Sequence, residues 1–191
     1  MSSHHIVREK QEPALIILST QNFEEEYLGQ LLEWSPTVIV AENVIDEVQA
    51  LGIKIDIIVS RNINYQSSQE NVKIIFSESD ALEDALKYLI AEGYPAVNII
   101  SKHFETKDYL FYADLIDLVI FNHDKKIYPI KSGFSKWQSE GEDIYIFNLE
   151  LIREFSYDGL QKVGPDLFKT EKDGFYSLTF QQPQIFIAEQ L

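Results

Sequence analysis

Residues 79–100, SDALEDALKYLIAEGYPAVNII, hold a complete helix-to-strand unit, and their reading sets the fold class. Leu82, Leu86, Leu89 and Ile90 fall on one face at helical period. Asp80 with Glu83 has the spacing of a capping box, while Gly93 followed by Pro95 supplies a left-handed stop and a block to continuation. Ala96–Ile100 is then almost continuously apolar, as a strand buried on both faces should be. A helix that returns the chain to a fully buried strand is half of a βαβ unit.

The same pattern extends toward the N-terminus. Ala14–Leu18, Thr37–Ala41, Ile55–Val59 and Val72–Phe76 read as further buried strands. Phe23, Tyr27, Leu28 and Leu31 share a helical face, Gly52 stops a second helix over Val44–Leu51, and a further helix is expected over Thr106–Asp117. The fold class is α/β, with a mainly parallel βαβ sheet. Beyond residue 121 the style changes to short alternating strands at Lys126–Lys131, Asp143–Phe147, Phe175–Phe180 and Gln184–Ala188, with no helix longer than two turns. The expected organisation is a polar tail over 1–12, an α/β nucleotide-binding-like domain over 13–124, and a small antiparallel β-sandwich over 125–191. Neither an internal repeat nor a low-complexity segment interrupts it.

Composition narrows the function classes. Asp and Glu total 31 against 16 Lys and Arg, a net charge of -15. That field repels polyphosphate backbones and anionic membranes, and with no Lys/Arg run, neither nucleic acid nor membrane is expected as partner. Cysteine is absent, so disulfides, thiolate metal sites and cysteine nucleophiles are excluded. A cytoplasmic location is the expectation, since the polar opening MSSHHIVREKQE has no apolar leader region and no stretch approaches a membrane span. His4 and His5 read as solvated tail; His103 and His123 read as surface residues. Trp137 and Tyr145 could stack on an aromatic ligand, but on alternating strands core is the better reading.

The sequence lacks the common phosphate-loop, dinucleotide, nucleophile-elbow and zinc-helix motifs. What remains is the series of strand ends, where open α/β sheets place ligands. In order, AENVIDEVQALGIKIDIIVSRNIN (41–64), SDALEDALKYLIAEGYPAVNII (79–100) and FETKDY (104–109) resemble three consecutive blocks of the thiamine pyrophosphokinase family. The resemblance covers roughly residues 13 to 191. It implies an N-terminal domain that binds ATP and Mg²⁺, a C-terminal sandwich that helps bind thiamine, and a homodimer with its active site between subunits.

Residue by residue, the resemblance implies a depleted site. Glu42 stands where the family has an Asp after the second strand. The G-D-x-D-S block is Ser60, Arg61, Asn62, Ile63, Asn64, so both metal-binding acids are gone and Arg61 places a permanent cation there. In T-D-L-E, Asp80 aligns with the Thr and Ala81 with the Asp, leaving Asp80 as either a displaced ligand or a helix cap. The G-[GR]-R-x-D-H block is Phe104, Glu105, Thr106, Lys107, Asp108, Tyr109, and only Asp108 survives. The thiamine-side loop is shortened to Phe168–Lys172 and lacks its Ser-Asn pair.

Pyrophosphoryl transfer draws its rate chiefly from positioning and from Mg²⁺ neutralising phosphate charge. The expected function is therefore a catalytically inactive or strongly impaired relative that acts as a binding or regulatory homologue, with thiamine or a nucleotide as its small-molecule ligand. The alternative is a functional thiamine diphosphokinase using Mg²⁺ and ATP, with Glu42 and Asp108 as weak metal ligands and Asp80 assisting. A third reading is an interaction protein whose cleft is filled by Phe104 and Tyr109. No residue is assigned a catalytic role; the degenerate cleft candidates are Glu42, Arg61, Asp80, Asp108 and Tyr109, and Arg61 is expected to pair with Glu42 or Asp108.

Overall fold

A computed structural model describes Lys10 and residues 12–191; His4 and His5 lie outside the described residues. The chain divides into two compact units, one ending at Leu118 and the other running Val119–Leu191. The first carries strands β1 (Ala14–Ile17), β2 (Val38–Ala41), β3 (Ile57–Ser60), β4 (Lys73–Phe76) and β5 (Ala96–Ile100), with helices α1 (Glu25–Leu32), α2 (Ile45–Ala50), α3 (Ala81–Ala91) and α4 (Thr106–Leu110). The five strands pair in parallel in the order β5-β1-β2-β3-β4. Each residue of β1, β2 and β3 is buried, which accounts for their unbroken Ala, Val, Ile and Leu runs. Expected buried like the others, β4 is instead half-exposed, because it is the edge of this parallel array. Its Lys73 ammonium lies 4.2 Å from the Tyr88 ring centre.

Helix ends follow their sequence signals. Asp80 Oδ1 accepts the N–H groups of Leu82 and Glu83 at 2.8 and 3.1 Å, so Asp80 is the cap of α3. The reciprocal half of the box does not form, since Glu83 pairs with Lys87 one turn on, at 2.6 Å. At the other end Gly93, with φ +75°, donates to the Ile90 carbonyl and Tyr94 to the Leu89 carbonyl. That double bond pattern is a Schellman stop. Gly52 and Ile53 close α2 in the same way on Gln49 and Val48.

The helix expected over Thr106–Asp117 is corrected to five residues, Thr106–Leu110. Tyr109, Tyr112 and Ile116 keep helical spacing and are buried, which is the pattern the sequence shows. Isolated turns replace the ladder between them, because Asp117 is already committed to β6, its N–H bonded to the Pro95 carbonyl at 3.0 Å.

The second unit is an antiparallel β-sandwich. Its strands are β6 (Asp117–Asn122, which contains the division), β7 (Lys125–Ile130), β8 (Phe134–Gln138), β9 (Asp143–Ile146), β10 (Ser156–Asp158), β11 (Leu160–Lys162), β12 (Leu167–Thr170), β13 (Gly174–Thr179) and β14 (Ile185–Gln190). One layer has the order β11-β12-β9-β14-β7-β6, the other β10-β13-β8. Ile144, Ile146, Phe168, Tyr176, Leu178 and Ile187 fill the core. Trp137, expected in that core, is 52% exposed, and opposite it Phe175 is 70% exposed. Both point outward because their strand neighbours Lys136, Gln138 and Tyr176 take the inner alternation. The segment Phe168–Lys172 is mostly strand, with Phe168 in the core and Thr170 buried, and only a short turn follows it.

A buried carboxylate, Glu189 on β14, accepts from Lys136 on β8 and from the Tyr176 hydroxyl at 3.2 Å, and so ties the two layers. Burial pushes its pKa up, but the Lys136 hydrogen bond and neighbouring donors outweigh that and leave it lowered. A lowered folded pKa contributes stability above the unfolded value and loses it as pH falls through the folded one. Glu189→Gln is expected to cost about 1–3 kcal/mol at pH 7. The deficit against wild type should shrink as pH drops below about 4.5, which urea titrations at neutral and acid pH will read; a deficit constant with pH would count against the ion pair.

Gly159 has φ +72°, and a Cβ there would sit 2.7 Å from the Phe175 carbonyl oxygen, whereas Gly141, φ +84°, faces open space. Gly141→Ala should therefore lose only the roughly 1–2 kcal/mol of a left-handed non-glycine residue. Gly159→Ala should lose clearly more, measured as the difference in urea midpoints.

Candidate functional site

Five parallel strands deliver their chain to one edge, and the order β5-β1-β2-β3-β4 puts a topological switch point between β1 and β5. A cavity of about 660 Å³ opens along that edge. Leu18 and Ser19 reach it from the end of β1, Glu42 from β2, Arg61 from β3, Ser77 from β4, and Ser101 to His103 from β5. Asp80, Asp108 and Tyr109 complete its wall. The five sequence-derived cleft positions Glu42, Arg61, Asp80, Asp108 and Tyr109 thus face one cavity within the first unit.

Of these side chains, Asp80 takes the helix-cap alternative, and Glu42 and Arg61 are engaged by the loops around them. Glu42 Oε2 accepts the Ser60 hydroxyl and the Arg61 backbone N–H, both at 2.9 Å, so it fastens the loop after β3. The Asp80 carboxylate is spent on the first turn of α3. Arg61 forms no ion pair among the described residues, against the expected pairing with an acid; its guanidinium donates to the Ser79 carbonyl at 2.6 Å. The chain turns into α3 right there, and a backbone carbonyl is nearer than any carboxylate. Asp108 lies exposed in the short α4, beside a Lys107–Glu105 ion pair of 2.6 Å. Tyr109 is 1% exposed and stacked on Phe104 with ring centres 5.3 Å apart. Burial is the main cause of its strongly raised phenol pKa, and the Ser101 hydrogen bond only partly offsets it.

These donors do not fit a Mg²⁺ site. Among the described residues, no three Asp, Glu or His side chains gather closely enough to hold a metal. Mg²⁺ needs oxygen donors free to turn toward it, and two of the three cavity acids accept protein hydrogen bonds. A divalent cation about 4 Å from a guanidinium would meet roughly 8 kcal/mol of repulsion at an effective dielectric of 20. Nor is the cleft plugged, since Phe104 and Tyr109 stack on each other and leave the cavity open.

Sequence reasoning missed the serines. Ser19, Ser60, Ser77 and Ser101 are each buried at the carboxyl end of a parallel strand. The signal was legible as a recurring apolar residue followed by Ser: Leu18-Ser19, Val59-Ser60, Phe76-Ser77 and Ile100-Ser101. Ser60 and Ser101 bridge their own loops, Ser60 receiving the Asn62 N–H at 2.9 Å and Ser101 donating to the His103 carbonyl at 2.8 Å. His103, read as a surface residue, is exposed and also stands at the cavity wall. His123 is exposed in the β6–β7 turn with φ +56°.

If Glu42 is a loop fastener, Glu42→Ala should cost about 1–2 kcal/mol by stripping two donors of their acceptor. The same variant should speed hydrogen exchange at the Arg61 amide while leaving the α3 amides protected. Equal loss of protection across both would contradict the assignment.

No family model matches the chain, and no curated protein matches it in sequence. Solved structures do match. Yeast thiamin pyrophosphokinase aligns with a TM-score of 0.70 and 10% identity over 96% of this chain and 87% of its own. The Geobacillus thermodenitrificans thiamin pyrophosphokinase gives 0.65 and 11% identity over 93% and 96%. The Candida albicans thiamin pyrophosphokinase gives 0.63 and 10% over 94% and 89%. At such identities the likeness is one of architecture, and this chain has the fold of the thiamin pyrophosphokinases.

Proposed function

We propose that this protein is a thiamin pyrophosphokinase-like protein that does not transfer pyrophosphate and uses its cleft as a binding or regulatory site for a small molecule. The observation that carries this reading is Arg61. It stands in the cavity at the position that the family resemblance gives to a metal-binding acid, while the nearby Glu42 and Asp80 carboxylates are held by protein donors. Without a metal to neutralise phosphate charge, the main source of acceleration for this chemistry is missing. The open cavity favours a ligand over the reading in which aromatic side chains fill the cleft. Residues 13–124 would supply this site, with 125–191 as the thiamine-binding-like partner domain, and a homodimer belongs to the same reading.

The test is turnover. With ATP, thiamine and millimolar Mg²⁺, AMP release is expected to stay at the level of a no-protein control. Thiamine-dependent AMP production that vanishes in Asp108→Ala would overturn the proposal and restore the diverged-enzyme reading.

A further inference from the structure

The same cavity carries a feature that a lost metal site does not explain. Ser77, at the end of β4, is 2% exposed, lines the cavity, and its hydroxyl has no hydrogen-bond partner among the described residues. A buried hydroxyl without a partner costs free energy that a ligand would recover. Beside it in the wall are Ala81, the first residue of the eleven-residue helix α3, and Arg61, whose guanidinium is tethered to Ser79 just before that helix. One N–H of the guanidinium fork is thereby used; the others have no protein acceptor among the described residues. Guanidinium forks favour tetrahedral anions, whereas the first-turn amides of α3 are already taken by Asp80.

The charges in the cavity sort by commitment. Glu42 is met by two donors and Asp80 by two backbone N–H groups and the positive end of α3. These bonds leave both carboxylates charged, so Arg61 and Lys102 face three acids, Glu42, Asp80 and Asp108; the directional donors left for an anion are the Arg61 guanidinium and the Ser77 hydroxyl. The molecule's net charge of -15 opposes an anion at long range. It is screened over about 8 Å at physiological salt, so recognition must come from these adjacent groups.

We infer that the cleft binds a phosphoryl group directly and without a metal, through the Arg61 guanidinium and the Ser77 hydroxyl. The place that a metal site would need to be cation-binding has become anion-binding. This rests on the reading of the cleft as a non-catalytic binding site and specifies its ligand as a small phosphomonoester or inorganic phosphate.

The test uses the full chain in EDTA-containing buffer, with thermal unfolding followed against inorganic phosphate, glycerol phosphate and acetate at matched ionic strength. Phosphate is expected to raise the Tm in the absence of metal, with no gain from added Mg²⁺. Glycerol phosphate acting at lower concentration than phosphate identifies a phosphomonoester; the reverse identifies the free ion. Arg61→Ala, at an exposed position, should weaken apparent affinity about tenfold or more. Ser77→Ala should leave the unliganded Tm unchanged or higher and still weaken the phosphate response. A response that needs Mg²⁺, no response at all, or an equal response to acetate would overturn the assignment. So would a rise that persists undiminished in both variants, because that is solute exclusion rather than binding. AMP production from ATP and thiamine would sink the non-catalytic reading alone, since phosphate binding is measured here without turnover.

Discussion

The first unit depends on one constraint: strands buried on both faces cannot bury a polar side chain along their length, so polarity is deferred to their ends. β1, β2 and β3 obey it without exception. All five strands run parallel, so their carboxyl ends share one edge, and the first polar residue after the last apolar residue of each strand arrives there together. Ser19, Glu42, Ser60, Ser77 and Ser101 are those residues. The cavity follows from sheet direction and burial before any functional demand is placed on it.

What the edge can do then depends on which polar groups the backbone has already claimed. A carboxylate oxygen that receives two N–H groups is a structural acceptor, and turning it toward a metal would strand both donors at about 1–3 kcal/mol each. Asp80 is in that position. Its place beside a lost ligand position therefore does not make it a substitute, because the acid that starts α3 is the acid that α3 needs. Glu42 is held by the same logic on the loop that carries Arg61. Retaining the fold consumes the acids that retained chemistry would need.

Legibility in the sequence followed how locally each feature is determined. The α3 cap and its Gly93 stop, the parallel strands and the sandwich were readable because each rests on residues a few positions apart. The end of α4 was not, because Tyr109, Tyr112 and Ile116 keep helical spacing while strand β6 claims Asp117. Trp137 failed for a related reason, since which side of a strand meets the core is set by its partners, and Tyr176 and Lys136 took the inner side. In the cleft the acids and Arg61 were visible by type. Their hydrogen bonds were not, because a carboxylate free for a ligand and one spent on backbone amides are the same letter.

The serine pattern shows where such ambiguity can be reduced. A single serine after an apolar run carries little information, since hydroxyls commonly close turns on their own backbone, as Ser60 and Ser101 do here. Four such serines on parallel strands are a different matter, because the sheet direction brings them to one edge. Most of them satisfy themselves locally, and that makes the exception informative. Ser77 follows an edge strand, where the chain leaves the sheet for the Asp80 cap, and its hydroxyl finds no acceptor or donor among the described residues. The residue whose local geometry fails to satisfy it lines the same cavity as the guanidinium that no carboxylate among the described residues has claimed. Two incompletely engaged groups that can both donate to one anion, at a strand edge and before a helix, are better explained by the proposed phosphoryl site than by two independent failures of packing.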